Sequence, residues 1–213
     1  MIYSENILIC IALPLLIALL FTKSDTRRFI SFFVTGMAVC LLSAYLSGFF
    51  KYLMKIETEE MAVFYSPIVE EIMKVLPLLF YVFVFEPKPG KLFTAGIGMG
   101  LGFATFENCC YILSSGASNI SYIMVRGLAV GVMHLVCGLV LVIGLNTAIF
   151  FNVLSLPVVV GAISLSTVFH GLYNLLVSGG ELSSNLGYAF PVIMALLLFV
   201  PCRRLLDHYN STV

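Results

Sequence analysis

Seven apolar stretches, near 6–22, 29–50, 61–85, 92–113, 122–150, 157–177 and 187–202, are separated by short charged or turn-rich breaks. A helix needs about 20 residues at 1.5 Å each to cross ~30 Å of hydrocarbon. The pattern therefore predicts an all-α fold, a polytopic transmembrane helix bundle of about seven spans with its termini on opposite sides. At 213 residues little remains for a soluble domain, so residues 1–213 read as one membrane-embedded domain. The first stretch reads as a span and not a signal peptide, because MIYSEN places no Lys or Arg ahead of it and no A-x-A-like site precedes Lys23.

Composition agrees. The chain is 61% hydrophobic and 10% charged, with a mean hydropathy of +1.08, where soluble domains carry about 25% charged residues. Eleven basic and eleven acidic residues give zero formal charge, and no basic run is present, which excludes the cationic face that nucleic acid requires. The six cysteines fall in or beside apolar segments without CxxC pairing and read as small apolar residues. Glu86-Pro87-Lys88-Pro89-Gly90-Lys91 reads as a tight turn, since two prolines and a glycine oppose helix continuation.

Orientation follows from Lys and Arg. With the N-terminus outside, the inner connections hold Lys23, Arg27, Arg28, Lys88, Lys91, Arg203 and Arg204, against Lys51, Lys55 and Arg126 outside. Seven against three predicts N-out and C-in. The fourth stretch contains Gly96 with Gly100 and Gly98 with Gly102, two overlapping small-xxx-small patterns that allow helix backbones to approach closely.

The third stretch holds Glu70, Glu71 and Lys74 in its middle. A central charge costs roughly 2.5–3.5 kcal/mol on an insertion scale, so three on a lipid-facing helix would cost about 8–10 kcal/mol. They must face protein or water. Lys74 follows Glu70 by four residues and Glu71 by three, so on a helix its ammonium reaches either carboxylate. One lysine does not compensate two adjacent carboxylates, so the other is expected to have a cationic, proton-bearing or metal partner. The bland alternative is a buried ion pair that fixes helix register, and the second glutamate weakens it.

Three further stretches add to the set. The fourth carries Glu107 and Asn108, the fifth Arg126 and, two turns on and roughly on the same face, His134, and the sixth His170 with Asn174 at i and i+4. Counted at 1.5 Å per residue from the outer end of each span, Glu70 lies roughly 14 Å deep, Glu107 roughly 9 Å, His134 roughly 18 Å and His170 roughly 10 Å. Their agreement predicts one polar chamber in the outer half of the bilayer.

A carboxylate beside a histidine, where bulk water is mostly excluded, can hold a water and remove its proton, giving a nucleophile for a carbonyl carbon. Asn174 or a second histidine can donate to the oxyanion, and a protonated His or Glu can serve the leaving amine. HExxH is absent, and no Ser-His-Asp order or reactive cysteine pattern stands out. Glu70, Glu107, His134 and His170 are also candidate ligands for a divalent metal such as zinc, since two His and a Glu form a common catalytic set. Nothing in the sequence requires a cofactor, and metal-free and metal-assisted water activation both fit.

Glu70-Glu71-x-x-Lys74, Gly102-Phe103-Ala104-Thr105-x-Glu107-Asn108, Arg126 with His134, and His170-Gly171-x-Tyr173-Asn174 together resemble the PrsW family of intramembrane proteases over roughly residues 60–200. That family is similar to the CAAX-processing and bacteriocin-processing membrane proteases, whose EExxxR, FxxxH and HxxxN motifs line the site. Here Lys74 stands one position earlier than the superfamily Arg, and Glu107 stands where those relatives have His. The resemblance implies a bacterial cytoplasmic-membrane endopeptidase making the site-1 cut in a single-pass, membrane-spanning anti-sigma factor. On that reading Glu70 is the general base, Glu71 with Lys74 its support or a second acid, and His134 helps to hold the water. Glu107 orients a histidine or joins the metal ligands, Asn108 and Arg126 support them, and His170 and Asn174 lie near the oxyanion. The rival reading is a proton-coupled or cation transporter using the same intramembrane cluster, although residues 1–105 and 106–213 show no convincing repeat. A catalytically silent membrane chaperone or binding subunit is a third.

Overall fold

The computed structural model describes residues 4–115, 119–150 and 156–211, and every regular element among them is helical. In chain order these are α1 (Ser4–Phe21), α2 (Ser24–Met54), a single turn α3 (Thr58–Glu60), a π-helical segment (Met61–Tyr65), α4 (Ser66–Phe85), α5 (Pro89–Ser115), α6 (Ile120–Phe150), α7 (Leu156–Val177) and α8 (Glu181–Ser211). The seven long helices follow the seven apolar stretches. Among the described residues α1, α2, α6, α7 and α8 are long and apolar enough to cross a membrane. The other two, α4 and α5, run for 20 and 27 residues and supply the acidic side chains of the site. A helix satisfies its backbone groups internally, which hydrocarbon demands.

The expected turn at 86–91 is shorter than its composition implies. Pro89 opens α5, where its fixed φ suits the first helical turn and its missing N–H removes a donor that would have had no partner. Glu86, in the left-handed region at φ 43°, closes α4.

α4 shows how a charged segment can sit in a bilayer. Pro67, Glu71, Lys74, Val75, Leu78 and Val82 are buried and recur at helical spacing, whereas Ile68, Ile72, Leu76 and Phe80 on the opposite face are exposed. The charges face protein, and the hydrocarbon-facing side is apolar. Beyond them toward the α4 C-terminus, Val75, Leu78, Val82, Leu92, Phe93, Leu141 and Leu145 close into an apolar core.

The two glycine pairs of α5 serve different neighbours. Successive helical residues lie about 100° apart, so a two-residue offset places the pairs on nearly opposite faces. A Cβ on Gly102 would lie 2.0 Å from the Phe33 carbonyl oxygen of α2, and one on Gly36 would lie 2.2 Å from that of Met99. On the other face, a Cβ on Gly100 would lie 2.4 Å from the His134 carbonyl oxygen of α6. This close approach draws His134 toward the α5 side chains. Gly102→Ala is therefore expected to destabilise the bundle by about 1–3 kcal/mol, because a backbone carbonyl cannot swing aside. Gly48→Ala, with nothing within 4 Å of the added carbon, is the matched control. Equal melting temperatures for the two variants in detergent would rule out this packing argument.

Candidate active site

The site begins at an irregularity in the backbone. The π-helical segment ahead of α4 bonds in an i→i+5 register, seen in the Ser66 N–H that donates to Met61 O. In that register the next carbonyl, Ala62 O, faces Pro67, which has no N–H. Asn174 of α7 fills the place, its Nδ2 donating to Ala62 O at 2.9 Å. Asn174, expected beside an oxyanion, instead commits this donor to tying α7 to the entrance of α4. Four residues earlier on the same helix, His170 projects into the bundle.

Glu71 is the hub and is fully buried. Its Oε1 accepts from Lys74 Nζ at 2.6 Å and from His170 Nδ1 at 2.9 Å, while Oε2 accepts from Ser166 Oγ at 2.7 Å. Of the two carboxylates within reach of Lys74, the partner is therefore the one at i+3. The ammonium also contacts His134 Nδ1 at 2.7 Å and sits 4.2 Å from the centre of the Phe103 ring.

These contacts fix proton positions. An ammonium only donates, so His134 Nδ1 accepts and the imidazole proton resides on Nε2. That N–H donates to Glu107 Oε2 at 2.5 Å. Glu107 also lies 3.5 Å from Arg126 Nη2, and Arg126 donates in turn to Asn108 and stacks its guanidinium on Tyr111 at 3.5 Å. The expected common face of Arg126 and His134 is observed, with Glu107 as the shared partner. The chain of contacts ends in a cleft of about 320 Å³ whose walls include Glu107, Arg126, Tyr122, Tyr173, Asn174 and Tyr188.

Glu70 differs from its neighbours. Glu71 is neutralised by Lys74 and Glu107 by Arg126, which leaves Glu70 as the uncompensated carboxylate. Its Oε2 is buried without a hydrogen-bond partner and lies 3.7 Å from His170 Nε2. In the neutral imidazole, with Nδ1–H donating to Glu71, Nε2 of His170 presents a lone pair. Two acceptors thus face each other, an arrangement complementary to a proton, a water or a cation.

A family model described as PrsW family intramembrane metalloprotease matches residues 25–202 of the chain. The chain belongs to the PrsW family. It is accordingly a multi-pass membrane protein and an intramembrane protease. No curated protein and no solved structure matches it significantly.

The metal in the PrsW family description can be tested against these side chains. One ligand atom each from Glu70, His134 and His170 lies within 4.8 Å of the others, and a carboxylate with two imidazoles suits zinc. The bare Glu70 oxygen and the His170 lone pair are ready to ligate. His170 already has a carboxylate behind its other nitrogen, the arrangement that orients metal-bound imidazoles. His134 would ligate after releasing its Nε2 proton, for which Glu107 is the adjacent acceptor. The residues fit a divalent cation. Glu107, also a candidate ligand by sequence, is engaged by His134 and Arg126.

Ser166 was not singled out as a site residue by sequence. Ser166 precedes His170 by four residues and so shares its face, a spacing that points to it once His170 is placed in the site. Phe103, which stands at the Phe of the FxxxH motif but was given no role by sequence, has its ring 4.6 Å from the His134 ring, centre to centre, and walls one side of the ion pair.

Proposed function

We propose that the chain is a single membrane-embedded endopeptidase domain, in a bacterial cytoplasmic membrane with its N-terminus outside and C-terminus inside. It makes the site-1 cut in a single-pass, anti-sigma factor-like protein near the extracytoplasmic face. The observation that carries this reading is the bare Glu70 oxygen facing His170, which packs against His134 and through it connects to Glu107 in the wall of the tyrosine-rich cleft. Bending of the substrate helix into the cleft would bring its scissile carbonyl to these groups.

In this mechanism a water donates one hydrogen to Glu70 and the other to His170. Glu70 takes a proton as the water oxygen attacks the carbonyl carbon. The carbonyl oxygen gains charge and shares the His134 Nε2–H, which otherwise donates to Glu107, while Lys74 at Nδ1 keeps that proton on Nε2. The C–N bond then breaks, and the proton on Glu70 passes to the amine nitrogen. Glu71 and Ser166 hold His170 in register, while Arg126 and Asn108 hold Glu107. A divalent ion held by Glu70, His134 and His170 would take over these roles, supplying Lewis acidity to the water and the carbonyl oxygen once His134 had released its Nε2 proton to Glu107.

Purified protein in liposomes with a single-pass anti-sigma substrate should yield two fragments, with mass spectrometry placing the cut toward the extracytoplasmic side. Chelation is expected to abolish cleavage and zinc to restore it, in step with metal content by elemental analysis. Full activity in metal-free protein would leave water activation to Glu70 alone, and an uncut substrate would remove the reading.

A further inference from the structure

At the other end of the bundle α2 and α4 diverge around a groove of about 530 Å³ that no step of proteolysis uses. One end carries Ser24, Arg27 and Arg28 beside Tyr81 and Phe85; the deeper part is mainly apolar, with Phe32, Pro77 and Phe80 around Ser31 and Thr35. From Arg27 to Thr35 the groove follows α2 for eight residues, about 12 Å of helix. Along α4 it runs from Pro77 to Phe85, six to fourteen residues beyond Glu71, or about 9–21 Å along the helix from that carboxylate.

Arg28 is built into the groove wall. Its Nε donates to Tyr81 Oη at 2.8 Å, its Nη1 pairs with Asp25, and its side chain is only 16% exposed. Arg27 differs: it is exposed, and among the described residues its side chain has no ion-pair or hydrogen-bond partner. Two guanidinium groups against one carboxylate leave a net positive charge at the polar end. The opposite end opens toward hydrocarbon beside Phe80, which is 62% exposed.

We propose that this groove holds one anionic phospholipid, with its phosphodiester between Arg27 and Arg28 and an acyl chain along Phe32, Pro77 and Phe80. The groove changes from cationic to apolar over the distance at which a phospholipid changes from headgroup to chain. A zwitterionic lipid brings a cation of its own toward Arg27, so phosphatidylglycerol, with one negative charge, fits better than phosphatidylcholine. Basic pockets between spanning helices favour such headgroups. A lipid seated here also braces α2 against the helix that carries Glu70, Glu71 and Lys74.

Delipidated protein, offered equimolar phosphatidylglycerol and phosphatidylcholine of matched chains, is examined by native mass spectrometry. Retention of one phosphatidylglycerol about fivefold over phosphatidylcholine is expected. Arg27→Gln and Ser31→Glu should each abolish that preference, whereas Lys91→Gln, on the same end but outside the groove, should leave it intact. An absence of preference in the unmodified protein would overturn the proposal, as would an equal loss in Lys91→Gln and Arg27→Gln. The readout does not depend on proteolysis, so its failure is separate from any failure of the protease reading.

Discussion

Glu70→Gln should slow cleavage of a single-pass substrate by about 10²–10⁴-fold, the range that a positioned general base contributes. The amide keeps the size of the carboxylate but cannot accept the proton of the attacking water. Folding should survive, because Glu70 Oε2 has no hydrogen-bond partner to lose. His170→Ala should cause a comparable loss by removing the acceptor 3.7 Å away. The double variant should fall little below the worse single one, since groups acting on the same water are not additive. Initial rates in proteoliposomes, with melting temperatures as the folding control, make the comparison. Unchanged cleavage in both single variants would remove these residues from the mechanism.

Lys74→Met is expected to weaken the fold itself. Lys74 and Glu71 are fully buried and 2.6 Å apart, and loss of one partner strands a charge, at about 3–5 kcal/mol. Further losses follow from the ammonium's contacts with His134 and with the Phe103 ring. Adding Glu71→Gln removes the stranded charge, and the double variant should recover much of the melting temperature. It should not recover cleavage, because the donor that sets the His134 proton is still missing. A Lys74→Met protein that melts with the unmodified one would show that the pair contributes nothing to stability.

The long helices were legible because hydropathy is written along the chain and needs no tertiary information. So was the membership of the cluster: charges inside apolar helices have few places to go, and Glu70, Glu71, Lys74, Glu107, His134 and His170 meet in contacts of 2.5–3.7 Å. Pairings were less accessible. Spacing allowed Lys74 to reach Glu70 or Glu71, and the choice depends on His170 and Ser166 of α7, which also bind Glu71. The π-helical segment and the task of Asn174 were not legible at all. The bond from Asn174 to Ala62 joins residues 112 positions apart, and only the packing of α7 against α4 makes it. The start of α5 at Pro89 was hidden for a different reason, since proline can close one helix or open the next.

The apolar core beyond Lys74 has a bearing on energetics outside proteolysis. Its side chains from α4, α5 and α6 stand between the Glu and His residues and the basic end of the bundle. The polar contacts lead from Glu71 through His134 and Glu107 to one cleft, and among the described residues none of them continues through that core. On the proposed reading, protons taken up and returned during hydrolysis are exchanged with the single compartment that this cleft faces. The catalytic cycle so read carries no net charge from one side of the bilayer to the other, and proteolysis should not dissipate a membrane potential.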